Sequence, residues 1–194
     1  MDKRFLWLAA WVLVLQFVIN ANTYLLWTAK GFILMFIIPA LLILFTKTNP
    51  SKFGFNFNNI KQSIIYAIII VIVSLPFLFY FSTEPSFKAY YPLWKNQMDF
   101  IPAELLLFFS MIGIELFFRG FLLNIAIKYV NWKYAVILQA VLYMLVHIGK
   151  PFPEVFLSLF AGLAFGYAAF KTKSIMPSLI SHYSIAVIFD ILTI

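Results

Sequence analysis

Glu115 and Arg119 stand four residues apart in GIELFFRG, inside a run with apolar stretches on both sides, Phe108 to Ile114 and Phe121 to Ile127. On a helix that spacing stacks a carboxylate and a guanidinium on one face. Together they partly neutralise a burial cost of several kcal/mol per ion. The bland role is an ion pair that ties helices together; the sharper one is a functional site, because ionisable residues in apolar spans usually mark function. The only two histidines follow, His147 in YMLVHIGKPFPE and His182 in SIMPSLISHYSIAVIFD. Imidazoles titrate near neutrality, so they suit proton transfer or metal ligation as well as plain packing.

Three further acids stand near these residues. Glu104 precedes Glu115 by eleven positions, about three helical turns, which puts the two on one face. Glu154 follows His147 across a Pro-x-Pro turn; it could complement a helix dipole or serve as a catalytic carboxylate. Asp190 lies eight residues beyond His182, and Asp190 and Glu104 read as interfacial residues. A zinc site of two His and one Glu has weak support, since no H-E-x-x-H motif is present and the His spacing is not diagnostic. A serine nucleophile has less, because Ser178 precedes His182 without a G-x-S-x-G elbow. No cofactor is expected. Gly162 and Gly166 in FAGLAFGYAAF form a small-xxx-small face suited to close helix packing.

The elements that must position these residues are transmembrane helices. The 194 residues are 64% hydrophobic, 20% aromatic and 11% charged, against about 25% charged in soluble domains. Seven apolar segments occupy roughly 5–21, 23–45, 62–82, 101–127, 134–148, 154–170 and 174–193. Continuous apolarity without alternation selects helices over barrel strands, and an open sheet edge in lipid would leave backbone groups unsatisfied. The expected fold is an all-α polytopic bundle of about seven transmembrane helices. It forms a single membrane domain over 1–194, with peripheral spans to residue 100 and a core from 101 to 193. The break between the first two spans rests on Asn20, Asn22 and Thr23, and Pro39 is expected to kink the second.

The net charge of +7 comes from basic residues between apolar runs, which fits topology and anionic headgroups rather than nucleic acid. With the N-terminus cytoplasmic, Lys3, Arg4, Lys47, Lys52, Lys61, Lys128, Lys133, Lys171 and Lys173 face inward. Lys30, Lys88, Lys95 and Lys150 then face outward. This excess favours an N-in, C-out protein of the cell membrane. Without cysteine there is no disulfide or thiol chemistry. The charge-free run from Phe5 to Ala29 reads as an uncleaved first span, not a signal peptide. Two loops, TKTNPSKFGFNFNNIK and STEPSFKAYYPLWKNQMDF, have the aromatic content of segments lying at the interface.

In order and spacing, ELFFRGFLLN, then YMLVH, then GLAFGYAAFKTKSIMPSLISH resemble the CAAX-protease and bacteriocin-processing (CPBP) family, which includes type II CAAX prenyl endopeptidases. The likeness covers about residues 101–193. It implies an intramembrane peptidase in which a Glu and a His activate water, built on Glu-Glu-x-x-x-Arg, Phe-x-x-x-His and His-x-x-x-Asn motifs. Glu115, Arg119, His147 and His182 match those positions. Tyr143 stands for the Phe, Ile114 for the first Glu and Ala186 for the final Asn. Ile cannot take a proton and Ala cannot donate a hydrogen bond, so Glu154, or Glu115 itself, becomes the candidate for the missing carboxylate. The expected partner is a peptide or protein tail reached through the membrane. The alternative is a non-catalytic binding or immunity protein that keeps the cavity. A transporter is a poorer fit, since repeated halves with broken helices are lacking.

Overall fold

The computed structural model describes residues 3–57 and 59–194. Seven principal helices follow the seven apolar segments: α1 (Lys3–Val18), α2 (Tyr24–Phe45), α3 (Ile60–Thr83), α4 (Phe100–Ala126), α5 (Trp132–Leu145), α6 (Phe152–Thr172) and α7 (Met176–Thr193). Five of these, α2, α3, α4, α6 and α7, are long and apolar enough to cross a membrane. Helices α1 and α5 are shorter, at 16 and 14 residues. The protein is an all-α polytopic membrane bundle, as its patterning requires.

Burial orders the helices around the site. Helix α4 buries 67% of its most apolar window and α3 only 6%, so α4 runs through the centre and α3 turns nearly all of its Ile and Phe side chains outward. The core around α4 is aromatic: Phe5 from α1 and Phe53 from the loop after α2 both pack against Phe121, with ring centroids 5.5 and 5.4 Å away. Gly120 makes this possible, because a Cβ there would stand 2.5 Å from the Phe53 carbonyl oxygen. The loop expected at the interface is therefore partly folded inward. Phe53 is buried, Phe55 half-buried, and only Phe57 is exposed.

Local chemistry accounts for the boundaries. The Thr23 hydroxyl accepts from the Leu26 amide and starts α2. Pro39 is absorbed within α2, where residues Ile33–Ile37 widen into a π-turn just before it. Helices α5 and α6 approach closely at Gly162, where an added Cβ would lie 2.9 Å from Ala140 Cα. There the Gln139 side chain donates to the Gly162 carbonyl at 2.7 Å. The small-xxx-small face is a helix contact.

Candidate active site

The site begins with a change of helical pitch. Residues Leu116–Leu122 of α4 form a π-helix, a widened turn frequent at functional sites. Asn124 stabilises it, donating from Nδ2 to the carbonyls of Gly120 at 2.6 Å and Arg119 at 3.2 Å. Glu115 closes the regular part of α4 and Arg119 lies within the widened part, so the motif straddles the junction.

Glu115 and Arg119 are 0% and 1% exposed. Arg119 Nη1 donates to Glu115 Oε1 at 3.2 Å. The guanidinium carbon also sits 4.1 Å from the Tyr143 ring centre and 4.9 Å from that of Phe165. Among the described residues, Nε and Nη2 of Arg119 have no hydrogen-bond partner. The negative ring faces supply the remaining electrostatic contact, worth roughly 2 kcal/mol when desolvated.

Glu115 Oε1 also meets Nδ1 of His182 at 2.6 Å, across from α4 to α7. A carboxylate only accepts, so Nδ1 carries the proton. The opposite ring nitrogen, Nε2, lies 3.1 Å from the Tyr143 hydroxyl. Tyr143 then reaches the second imidazole through its backbone: its carbonyl accepts from Nδ1–H of His147 at 2.8 Å. That bond sets the His147 tautomer and leaves Nε2 with its lone pair. Tyr143 thus touches Arg119, His182 and His147 at once.

These residues meet at a cavity of about 690 Å³. Its wall is mostly apolar, drawn from α3, α4, α6 and α7, with Tyr143, His147 and His182 at one part and Lys150, Glu154 and Tyr91 at another. Neither Glu115 nor Ile114 belongs to the wall. Ile114 is packed among core side chains such as Leu116 and Met111, the place where the resembling motif carries its first Glu. Ala186, one turn beyond His182, does line the cavity.

Glu154 is placed on the same wall but not on an imidazole. Lys150 Nζ donates to its Oε1 at 2.7 Å, and the Tyr91 hydroxyl lies 2.8 Å from both carboxylate oxygens. Lys150 also donates to the Tyr91 oxygen at 3.0 Å. Burial alone would push the Lys150 ammonium down; the Glu154 carboxylate outweighs it and holds the pKa above the ordinary lysine value. Burial and the same carboxylate push the Tyr91 phenol well up.

Glu104 and Asp190 are buried within the bundle, each 6% exposed. Trp94, carried inward by the loop after α3, donates from Nε1 to Asp190 Oδ2 at 2.8 Å. Tyr91, Trp94, Asn124 and the Tyr143 hydroxyl are polar contributors that motif spacing did not single out. Only Tyr143 carried a signal, being four residues before His147 on the same helical face. Among the described residues no three His, Cys, Asp or Glu side chains gather as a metal-ligand set.

The family model described as Rce1-like, type II CAAX prenyl endopeptidase Rce1-like, matches residues 96–188. No curated protein and no solved structure matches the chain. The matched region, just under half of the chain, carries Glu115, Arg119, Tyr143, His147, Glu154 and His182, and over it the chain is similar to the Rce1-like CAAX proteases, which supports membership of the CAAX protease family.

Proposed function

We propose that the protein is an intramembrane endopeptidase that hydrolyses peptide bonds of membrane-associated peptides or protein tails, using water activated by His147. The observation that carries this reading is the free Nε2 of His147 on the wall of a largely apolar cavity, with His182 and Tyr143 on the same wall. His147 takes the proton of the attacking water and returns it to the leaving amine. Glu115 orients His182 and Arg119 anchors Glu115. Glu154 is tied to Lys150 and Tyr91, so its proposed part is to shape the cavity wall beside His147 rather than to act as base. The excess of basic residues on one side supports an N-terminus in the cytoplasm of a cell-membrane protein.

One observation favours the alternative of a non-catalytic binding or immunity protein. Ile114 is half-buried and packed against the core, and Glu115, among the described residues the one carboxylate hydrogen-bonded to an imidazole, is fully buried away from the cavity. Purified protein in lipid nanodiscs, given a panel of membrane-delivered peptides, separates the two by mass spectrometry of new termini. New termini that vanish in His147→Ala support the peptidase. No cleavage by the parent protein, with cleavage gained by Ile114→Glu plus Ala186→Asn, supports the binding protein.

A further inference from the structure

We propose that Tyr143 is a catalytic residue whose hydroxyl donates the hydrogen bond that stabilises the oxyanion formed on the scissile carbonyl. The inference rests on the peptidase reading and adds to it the group that receives the developing negative charge. Three observations carry it.

The first is position. Tyr143 is 2% exposed, yet it lines the cavity together with both imidazoles. Its hydroxyl points to His182 Nε2 and its carbonyl to His147 Nδ1, so the hydroxyl and the free His147 nitrogen belong to one rigid unit. The Tyr143 and His147 rings also pack at 4.5 Å between centroids, so a carbonyl attacked by water held at His147 would have its oxygen beside the Tyr143 side chain.

The second is the chain of hydrogen bonds behind the hydroxyl. With His182 neutral, Nδ1–H serves Glu115 and Nε2 accepts the Tyr143 proton. Where Nε2–H instead donates to the Tyr143 oxygen, the phenolic O–H is left to point toward the cavity. A phenol that accepts from an imidazole N–H is a polarised donor, held in place before substrate arrives.

The third is that, among the described residues, the side chains around His182 supply no other donor at that point. Ala186, one turn after His182 on the cavity wall, has no donor, and the Arg119 guanidinium is covered by the Tyr143 and Phe165 rings. The Ser178 and Ser181 hydroxyls are turned back to the carbonyls of Ile175 and Pro177.

The step balances without any other reactant. A C–O bond forms as water attacks, His147 Nε2 takes one water proton, and the carbonyl π electrons move onto oxygen, where the Tyr143 O–H donates without transferring its proton. On collapse the C=O reforms, the C–N bond breaks, and the amine takes the proton held on His147.

Tyr143→Phe keeps the ring over Arg119 and the carbonyl that orients His147, and removes only the donor. It is expected to lower kcat about 100- to 1000-fold, with KM nearly unchanged. A second measurement replaces Tyr143 by fluorotyrosines of graded acidity, in which log kcat should vary smoothly with phenol acidity. This series decides the matter if Tyr143→Phe does not fold. A parent that cleaves in a His147-dependent way, with Tyr143→Phe at full kcat or fluorotyrosines indistinguishable from tyrosine, overturns the role of Tyr143 alone. A parent that cleaves no peptide overturns the peptidase reading and this proposal with it.

Discussion

Oε1 of Glu115 lies 2.6 Å from Nδ1 of His182 and 3.2 Å from Nη1 of Arg119, so a single carboxylate oxygen joins α4 to α7 and anchors an internal arginine. The carboxylate is therefore a positioning group whose effect passes through His182, and its partners must be perturbed with care for the charge left behind.

Arg119→Ala strands the Glu115 carboxylate at 0% exposure. Breaking a buried pair at one end costs about 3–5 kcal/mol, whereas replacing both ends by matched neutral groups can be nearly neutral. Melting in detergent should fall sharply for Arg119→Ala and much less for Glu115→Gln combined with Arg119→Met. An Arg119→Ala protein that melts with the parent would show that the pair adds no stability.

The α5–α6 contact predicts a backbone clash. Because the atom facing Gly162 is Ala140 Cα rather than a flexible side-chain end, Gly162→Ala should cost about 1–3 kcal/mol. Equilibrium unfolding in mixed micelles reads this directly; a neutral result would mean the helices can separate without loss.

The Lys150–Glu154–Tyr91 cluster gives a pH dependence of definite sign. Lys150 and Tyr91 both have folded pKa values above their ordinary 10.5 and 10.0. Each binds its proton more tightly when folded, so its stabilisation is complete below the unfolded pKa and is lost as pH rises through the folded one. The melting temperature should hold through about pH 9 and decline from roughly pH 10 upward. Glu154→Gln removes the carboxylate that raises Lys150 and Tyr91, so it should lose about 1–3 kcal/mol near neutrality and show a shallower alkaline decline. Superimposable curves for the two proteins would contradict the pairing.

Topology follows from α3, whose 24 residues span about 36 Å at 1.5 Å per residue. Ser51 before it and Lys88 after it are both exposed. In this chain without cysteine, Ser51→Cys should label from the cytoplasmic side of sealed vesicles and Lys88→Cys from the other. Labelling of both from one side would sink the spanning arrangement, and labelling in the reverse sense would overturn the N-in assignment.

Much of this architecture is legible in residue types alone. Seven apolar runs translate into seven helices because a lipid solvent leaves the backbone no alternative to internal hydrogen bonding. The Glu115–Arg119 stack follows from helical spacing, and Gly162 marks a close approach. The Tyr143–His182 bond was not legible, because it joins residues 39 apart and depends on how α5 and α7 pack around α4. The inward turn of Phe53 was hidden for a related reason: an aromatic in a polar loop suits headgroups and a core equally, and only Gly120 on another helix makes room for it. Glu154 shows the same limit. Its closeness to His147 in sequence suggests an imidazole partner, yet its i−4 neighbour Lys150 and the distant Tyr91 take both carboxylate oxygens.

The central claim is that His147 delivers water to a peptide bond inside this cavity, and hydrolysis in oxygen-18 water tests it most directly. A cleavable membrane-delivered peptide incubated with the nanodisc protein should yield an N-terminal fragment whose new carboxyl terminus carries one oxygen-18 atom, and His147→Ala, folded by its melting curve, should yield none. Labelled fragment produced equally by His147→Ala, or no labelled fragment from the parent protein, would contradict the account.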